Sequence, residues 1–326
     1  MRIAILGAGA WGTALAVSLS TAHEVRLWTR SGADRDALQA TRRSRYLAEV
    51  ELPASVAIAG AVQQATDMAE LVIAATSTGG LRETCGRLAA AGSRAPLIWA
   101  CKGFEAASGL FAHEVVAQTL PRDVAAGALS GPSFALEVAR GLPAALVLAS
   151  RDGAFAARAA AALNSPRLRI YSSTDVVGVE LGGAVKNVIA IAAGIADGLE
   201  LGTNARAALI TRGLAEIVRL GGALGGRAET FMGLAGLGDL VLTCTGALSR
   251  NRTVGLELGR GRSLAEALAS LGHVAEGVES ARRVSEHARR AGVDMPIAEA
   301  VCAVLFDARP PRDAVRQLLA REPRPE

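Results

Sequence analysis

The sequence predicts an α/β fold, with a doubly wound sheet in the N-terminal half and an all-helical domain after it. Short apolar runs alternate with helical patterns in the first half. Most of these runs are continuously apolar, as in a parallel sheet that is buried on both faces. After about Tyr171 the strand pattern stops and long helical patterns follow. A chain of 326 residues is also longer than one average domain. We therefore expect two domains, residues 1–172 and 173–326.

The elements can be placed approximately along the chain. Strands are predicted in the first domain at Arg2–Leu6, Glu24–Thr29, Leu71–Ala75, Pro96–Ala100, Val124–Leu129 and Ala144–Ala149. Helices are predicted between them, for example at Trp11–Ser20 and Leu81–Ala91. In the second domain we expect no strand, and helices at Asp175–Leu199, Arg206–Leu224, Ser263–Ser270, Val278–Ala291 and Pro296–Phe306.

The composition argues against several classes of protein. The net charge is +4, but the arginines are scattered, which suits a small anionic ligand better than a nucleic acid. No cysteine pair has CxxC spacing and the histidines do not cluster, so we expect no metal site. Glycines interrupt the N-terminal apolar stretch, which argues against a secretory signal. No later apolar run approaches the length of a membrane span, so we expect a cytoplasmic protein without one.

A glycine motif follows the first predicted strand. Gly7, Gly9 and Gly12 fit GxGxxG, with Ala10 and Trp11 inside the motif. The glycines allow a tight turn, a close approach of the backbone to a pyrophosphate, and packing of helix on strand. The helix N-terminus that follows offers unpaired N–H groups to phosphate. A motif placed between a strand and a helix predicts a Rossmann-like dinucleotide-binding domain.

The end of the second predicted strand bears on the choice between NAD and NADP. NAD sites usually place Asp or Glu there to bind the ribose hydroxyls. This chain has no acid at that point but has Arg30, which could face a 2′-phosphate. The sequence therefore favours NADP and leaves NAD open.

Further candidates follow two other predicted strands. Lys102 comes directly after one, and Gly131 and Ser133 come after the next. Ligands of open α/β sheets gather at the carboxyl ends of strands. Ser133 could contact a ligand or could serve only as the N-cap of the next helix.

The scarcity of lysine makes the two lysines of the chain candidates for proton transfer. The chain has 35 lysines and arginines, and Lys102 and Lys186 are its two lysines. An ammonium can lose its proton, whereas a guanidinium in effect cannot. Lys186 and Asn187 lie in an almost wholly apolar helix, where a charge is costly unless it is paired or functional. The alternative is a lysine that reaches solvent along the helix surface.

Two later segments carry polar groups. Asp239 follows Gly236 and Gly238 in an expected turn, where it could bind the lysine ammonium or merely cap a helix, and Thr243 comes soon after it. Ser249, Arg250 and Asn251 offer a group of donors in a second expected turn, suited to a phosphate. Val274 and Glu276, in Val-Ala-Glu-Gly, form a weaker candidate pair.

Together these segments closely resemble the bacterial NAD(P)-dependent glycerol-3-phosphate dehydrogenases. The resemblance runs over nearly the whole chain and rests on GAGAWGTALA, CKGFE, SGPSFA, VELGGAVKNVIAIAAGIADGL, AALITRGLAEI, GLAGLGDLVLTCTG, SRNR and VAEGV. It implies reversible NAD(P)H-dependent reduction of dihydroxyacetone phosphate, a small phosphorylated triose, to sn-glycerol 3-phosphate. It also implies a cytoplasmic homodimer that supplies the glycerol backbone of phospholipids.

The resemblance implies roles for individual residues. Lys186 corresponds to the proton donor and acceptor, with Asp239 and Lys102 expected to tune it. Substrate contacts correspond to Lys102, Gly131, Ser133, Asp239, Ser249, Arg250 and Asn251, and we add the neighbouring Asn187 and Thr243. Cofactor contacts correspond to Ala10, Trp11, Arg30, Lys102, Ala135, Arg250, Val274 and Glu276, beside the three glycines of the motif.

The chain departs from the family pattern at three places, and two alternative functions remain open. Thr76-Ser77-Thr78 stands where Val-Pro-Ser is usual, Cys101 where Thr is common, and Ala48 where Tyr-Leu-Pro ends. The missing prolines affect loop stiffness near the cofactor.

One alternative is a dehydrogenase of similar build that acts on a 3-hydroxy acid or a sugar acid. The other is a nucleotide sensor without catalysis.

Overall fold

The N-terminal half forms one mostly parallel sheet. The computed structural model describes residues 1–271 and 275–321 of the chain. The strands are β1 Arg2–Leu6, β2 Glu24–Trp28, β3 Ala57–Ala59, β4 Leu71–Ala74, β5 Leu97–Trp99, β6 Ala126–Ser130, β7 Ala144–Ala149 and β8 Leu168–Ser173. Their order in the sheet is β3-β2-β1-β4-β5-β6-β7-β8, and every neighbouring pair is parallel except β6 and β7. The predicted fold class is confirmed.

Two strands were not predicted, and each has a physical reason. β3 has three residues, too few to show a period. β8 lies at the sheet edge, and its first residues alternate between buried Leu168 and Ile170 and exposed Arg169 and Tyr171. An edge strand need not read as the continuous apolar run expected of a strand that is buried on both faces.

One helix lies between each two consecutive strands of the first half, and helices continue through the second half. In the first half they are α1 Ala10–Leu19, α2 Gly32–Thr41, α3 Val62–Thr66, α4 Thr78–Ala90, α5 Ala112–Thr119, α6 Ala135–Ala139 and α7 Gly153–Leu163. They continue as α8 Val176–Gly198, α9 Gly202–Ala223, α10 Ala228–Met232, α11 Asp239–Thr245, α12 Arg250–Gly259, α13 Leu264–Leu271, α14 Glu276–Ala291, α15 Pro296–Phe306 and α16 Pro311–Leu319.

The chain divides into two compact units, Met1–Val179 and Glu180–Glu326. In the second unit, residues 180–271 and 275–321 contain helices and no strand, as expected from the sequence. α8 is long and apolar enough to cross a membrane by length and composition alone, although we expected no apolar stretch near that length. Its most apolar window is 94% buried inside the protein, as in a core helix.

Two segments that we expected to be turns are helical. Leu234–Gly238 is a π-helical turn, and Asp239 is the first residue of α11. Ser249 is the N-cap of α12, so Arg250 and Asn251 occupy its first turn rather than a loop. The many glycines around Asp239 suggested a turn, but here glycine serves close packing. An added Cβ at Gly236 would lie 2.1 Å from the carbonyl oxygen of Phe231.

α8 and α12 meet through glycine on both sides. Gly194 and Gly198 lie four apart on α8, and Gly255 and Gly259 lie four apart on α12. An added Cβ at Gly194 would lie 2.0 Å from the carbonyl oxygen of Arg252, and one at Gly255 would lie 2.0 Å from that of Ile191. The two backbones are therefore in direct contact, and any side chain at these positions would force them apart.

Replacing Gly194 by alanine should therefore destabilise the second unit by about 3 kcal/mol, because overpacking moves backbone against backbone. The matched control is Gly222→Ala in α9, where an added Cβ meets nothing within 4 Å. Alanine there should leave stability unchanged or raise it by less than about 1 kcal/mol. Urea unfolding of both variants measures the difference, and equal midpoints would contradict the contact.

A buried glutamate joins α9 to α15. Glu216 is 1% exposed, and its carboxylate accepts the backbone N–H groups of Ile297 at 2.7 Å and Ala298 at 3.2 Å. It thereby caps the start of α15, whose first N–H groups have no partner inside the helix. Burial raises the pKa of Glu216 to about 7, against the two hydrogen bonds, which lower it.

Glu216 should make the stability of the protein depend on pH. Its pKa is about 7 in the folded protein and about 4.5 in the unfolded chain. The stabilisation of the folded state that comes from protonated Glu216 is therefore fully present below pH 4.5 and is lost as the pH rises to 7. Relative to Glu216→Gln, the wild-type free energy of unfolding should fall by about 3 kcal/mol over this range. Urea unfolding at a series of pH values checks this, and parallel profiles would refute it.

Candidate active site

The glycine motif forms a tight turn between β1 and α1. Gly7 has φ +120°, and an added Cβ at Gly12 would lie 1.8 Å from the carbonyl oxygen of Gly7. Gly9, the N-cap of α1, has open space where its Cβ would be and provides no side-chain cap. The first N–H groups of α1, from Ala10 onward, thus lack a cap from the protein. The turn fits the pyrophosphate of a dinucleotide.

Other predicted cofactor residues are spread over both units. Arg30 lies just beyond β2, where it is paired with Glu83, and Ala135 is the first residue of α6. In the second unit Arg250 begins α12 and Glu276 begins α14. Val274 lies outside the residues that the structure describes.

Lys102, Gly131 and Ser133 come together at the carboxyl ends of β5 and β6. The ammonium of Lys102 donates to the carbonyl oxygen of Gly131 at 3.1 Å, and the Ser133 hydroxyl donates to the same oxygen at 3.0 Å. Ser133 does not cap α6, because Phe134 occupies the N-cap position. The three residues therefore form one polar group at the carboxyl end of the sheet, where ligands of such folds bind.

The loop that carries Lys102 is fixed by a contact that the sequence did not reveal. Arg82 of α4 donates twice to Glu105, from Nε and from Nη2, each at 2.8 Å. The Ser108 hydroxyl donates to the same carboxylate, and the hydroxyl of Thr78 donates to the carbonyl oxygen of Lys102 at 3.0 Å. A bidentate pair of this kind restrains both side chains. Neither residue stood out, since arginine and glutamate are common in this chain.

Lys186 is buried and paired. It is 6% exposed, and its ammonium forms an ion pair with Asp239, which is 1% exposed. It also donates to the hydroxyl of Thr243 at 3.0 Å, and that hydroxyl donates to the Asp239 carbonyl oxygen at 2.6 Å. The alternative of a lysine that reaches solvent is wrong. Asp239 begins a helix and also binds the lysine.

Close packing places this pair. An added Cβ at Gly182 would lie 2.5 Å from the carbonyl oxygen of Ala235, so α8 touches the π-helical turn directly. Lys186 is one helical turn beyond Gly182 and Asp239 directly follows the π-helical turn. π-Helical turns are frequent at functional sites. Here the turn lets the first carboxylate of α11 reach the ammonium.

The two arginines near the start of α12 differ in their surroundings. Arg252 binds the Asp197 carboxylate through Nε at 2.8 Å and Nη2 at 2.6 Å, and Arg206 binds the same carboxylate at 3.0 Å. Arg250 is exposed, and its guanidinium has no ion-pair partner among residues 1–271 and 275–321. Ser249 caps the helix by accepting the Arg252 N–H at 3.3 Å. Arg250 is thus the arginine available to an anion.

Asn187 and Asn251 are both buried beside Gly277. The Asn251 side-chain oxygen accepts the N–H of Gly277 at 3.0 Å, and an added Cβ at Gly277 would lie 2.8 Å from the Asn187 carbonyl oxygen. Asn187 donates weakly to the Gly183 carbonyl oxygen at 3.4 Å. Asn251 therefore links α12 to α14, whatever it contributes to a ligand. Among the described residues, no group of three His, Cys, Asp or Glu could hold a metal ion.

Comparison with known proteins identifies the family. The sequence model of the NAD-dependent glycerol-3-phosphate dehydrogenase N-terminus matches residues 2–156, and that of the C-terminus matches residues 175–316. The chain belongs to this family. The expected resemblance is confirmed.

Similar proteins extend over the whole chain. A relative from Nitrosospira multiformis is 56% identical over all of this chain and 99% of its own length, and one from Aromatoleum aromaticum is 57% identical over the full length of both. Both are named glycerol-3-phosphate dehydrogenase (NAD(P)+). The solved glycerol-3-phosphate dehydrogenase of Coxiella burnetii is 41% identical, covers 98% of each chain and superposes with a TM-score of 0.93. A D-mandelate dehydrogenase at 15% identity and a TM-score of 0.64 shares only the fold.

The buried pair of Lys186 and Asp239 gives a prediction about stability. Asp239→Asn should cost about 3–5 kcal/mol, because it leaves an ammonium buried without a carboxylate. Lys186→Met should cost a similar amount. The double variant Lys186→Met/Asp239→Leu should recover most of the loss, since no buried charge remains. A double-mutant cycle by urea unfolding measures this, and additive costs would show that the two side chains do not act as a pair.

Proposed function

We propose that the chain catalyses the reversible reduction of dihydroxyacetone phosphate to sn-glycerol 3-phosphate, with NAD(P)H as the reductant. The observation that carries the proposal is the buried Lys186–Asp239 pair in a chain that belongs to the glycerol-3-phosphate dehydrogenase family. Its relatives are named for this dehydrogenase and for use of NAD or NADP. The chain is accordingly an NAD(P)-dependent oxidoreductase.

The first unit binds the dinucleotide. The N–H groups at the start of α1 receive the pyrophosphate, and Gly7, Gly9 and Gly12 keep the backbone clear of it. Bound NAD(P)H supplies the hydride that reduces the ketone. Lys102, Gly131 and Ser133 contribute polar contacts from the carboxyl ends of β5 and β6.

Lys186 supplies the proton. As the ketone carbon gains hydride, its oxygen becomes an alkoxide, and the Lys186 ammonium donates the proton that completes the hydroxyl. In the reverse direction the neutral amine accepts that proton. Asp239 favours the charged ammonium, and Thr243 fixes its direction by accepting one of its hydrogens. Proton donation of this kind contributes about 10²–10⁴-fold to the rate.

Arg250 binds the substrate phosphate. Its guanidinium is exposed, while the neighbouring Arg252 is occupied by Asp197. Arg250 lies in the first turn of α12, where the helix dipole also favours an anion. A phosphate is therefore the part of the substrate that this chain is built to recognise, which disfavours a phosphate-free 3-hydroxy acid. A sensor without catalysis would have no need of the buried lysine pair.

Absorbance of NADPH and NADH tests the proposal directly. The purified protein should oxidise both when dihydroxyacetone phosphate is added. Phosphate-free dihydroxyacetone and a 3-keto acid are the comparison substrates and should be turned over far more slowly. Faster turnover of the keto acid would favour the alternative dehydrogenase, and binding of NADPH without oxidation by any substrate would favour the sensor.

Replacing Lys186 by alanine should lower kcat by about 10²–10⁴-fold, because no group delivers the proton. Binding of NADPH, measured by fluorescence, should change less than about twofold, since the dinucleotide turn lies in the first unit. Lys186→Arg is the matched control for charge, because it keeps a cation beside Asp239 but cannot release a proton. It should be as inactive as Lys186→Ala. Turnover near the wild-type rate in either variant would remove Lys186 from the mechanism.

We also propose the setting that the resemblance implies. The enzyme supplies the glycerol backbone of phospholipids as a homodimer in the cytoplasm, with residues 1–172 as its dinucleotide domain and residues 173–326 as its substrate domain. These statements rest on membership of the family.

A further inference from the structure

A pocket beyond the end of β2 contains three arginines. It has a volume of about 340 Å³ and lies entirely in the first unit, where β2, β3, α2 and α4 come together. Arg30 from the end of β2, Arg35 of α2 and Arg87 of α4 line it beside Trp28. In the part of the chain that the structure describes, no aspartate or glutamate lines this pocket.

Two of the arginines are held in place by one carboxylate. Arg30 donates from Nη1 to one oxygen of Glu83 at 2.8 Å, and Arg87 donates from Nη2 to the other oxygen at 2.9 Å. The Arg87 guanidinium also lies 5.7 Å from the centre of the Trp28 ring. One carboxylate thus spans both guanidinium groups and keeps them side by side.

The third arginine approaches from α2. Arg35 binds its neighbour Asp36 at 2.7 Å, and Gly32 at the start of the same helix also lines the pocket. The three guanidinium groups and the two carboxylates that they bind, those of Glu83 and Asp36, leave one net positive charge. A guanidinium has five N–H donors, and the contacts with Glu83 and Asp36 use only some of them. Donors and positive charge therefore remain for a compact anion.

The position of the pocket identifies that anion. At the end of β2, dinucleotide-binding folds contact the adenosine ribose, with an acid for the free 2′-hydroxyl of NAD and an arginine for the 2′-phosphate of NADP. We propose that Arg87 and Arg35 are specificity-determining residues that complete a 2′-phosphate site with Arg30, and that Glu83 is the counter-ion that holds Arg30 and Arg87 ready. The proposal rests on dinucleotide binding by the first unit, and it selects NADP over NAD.

Equilibrium binding of NADPH and NADH tests the proposal without substrate. Wild-type protein should bind NADPH at least about tenfold more tightly, as expected for charge-assisted hydrogen bonds to a phosphate. Arg87→Gln and Arg35→Gln should each weaken NADPH binding about tenfold and NADH binding less than twofold. Glu83→Gln should lower the preference for NADPH several-fold, because Arg30 and Arg87 lose the carboxylate that holds them side by side. Titration calorimetry measures all four proteins.

The matched control is Arg94→Gln, which removes an exposed arginine that is paired with Asp123 at 2.8 Å, as Arg30 is with Glu83. It should leave both affinities unchanged. Adenosine 2′,5′-bisphosphate and AMP provide a second readout, since Arg87→Gln should weaken only the bisphosphate.

Equal losses for NADPH and NADH in Arg87→Gln, no preference for NADPH in the wild type, or an equal loss in Arg94→Gln would overturn the proposal. An unchanged or raised preference for NADPH in Glu83→Gln would overturn the role of Glu83. A failure of the proposed reaction would instead appear as absent turnover of dihydroxyacetone phosphate, with the nucleotide affinities unaffected.

Discussion

The ion pair of Lys186 with Asp239 is the constraint on which the second unit depends. A charged ammonium inside an apolar helix is costly unless it is paired, and here the partner carboxylate comes from α11. The close approach of α8 to the π-helical turn at Gly182, the start of α11 at Asp239, and the hydroxyl of Thr243 all serve this requirement. The packing of α8 against the π-helical turn and α11 thus surrounds one buried ion pair.

Most of the sheet could be predicted by one rule: a strand that is buried on both faces appears in the sequence as a short, continuously apolar run. β1 and β7 have the predicted bounds, and β2, β4, β5 and β6 differ from the predictions by a few residues at their ends. The rule fails for β3, which is too short to show a pattern, and for β8, whose outer face is polar. What the rule measures is burial on both faces, so a strand that lacks such burial escapes it.

The candidate site could be predicted as residue types but not as contacts. The scarcity of lysine singled out Lys186, and Asp239 was a natural partner. Nothing in the spacing of Arg250 and Arg252 distinguishes them, because Arg252 is neutralised by an aspartate 55 positions away in the sequence. The arginines of the first unit were equally hidden, since an arginine-rich surface does not show which guanidinium groups meet in space.

The glycine contact between α8 and α12 has a consequence for how the protein tolerates change. Its contacting atoms belong to the backbone, so the contact is specified by the absence of side chains at Gly194, Gly198, Gly255 and Gly259. No substitution can conserve such a feature, whereas many core positions accept a similar apolar residue. In a saturation mutagenesis screen, these glycines would rank beside the buried, ion-paired Lys186. Intolerance to mutation in this enzyme therefore marks two kinds of residue: those of the candidate active site, and glycines where two helix backbones touch.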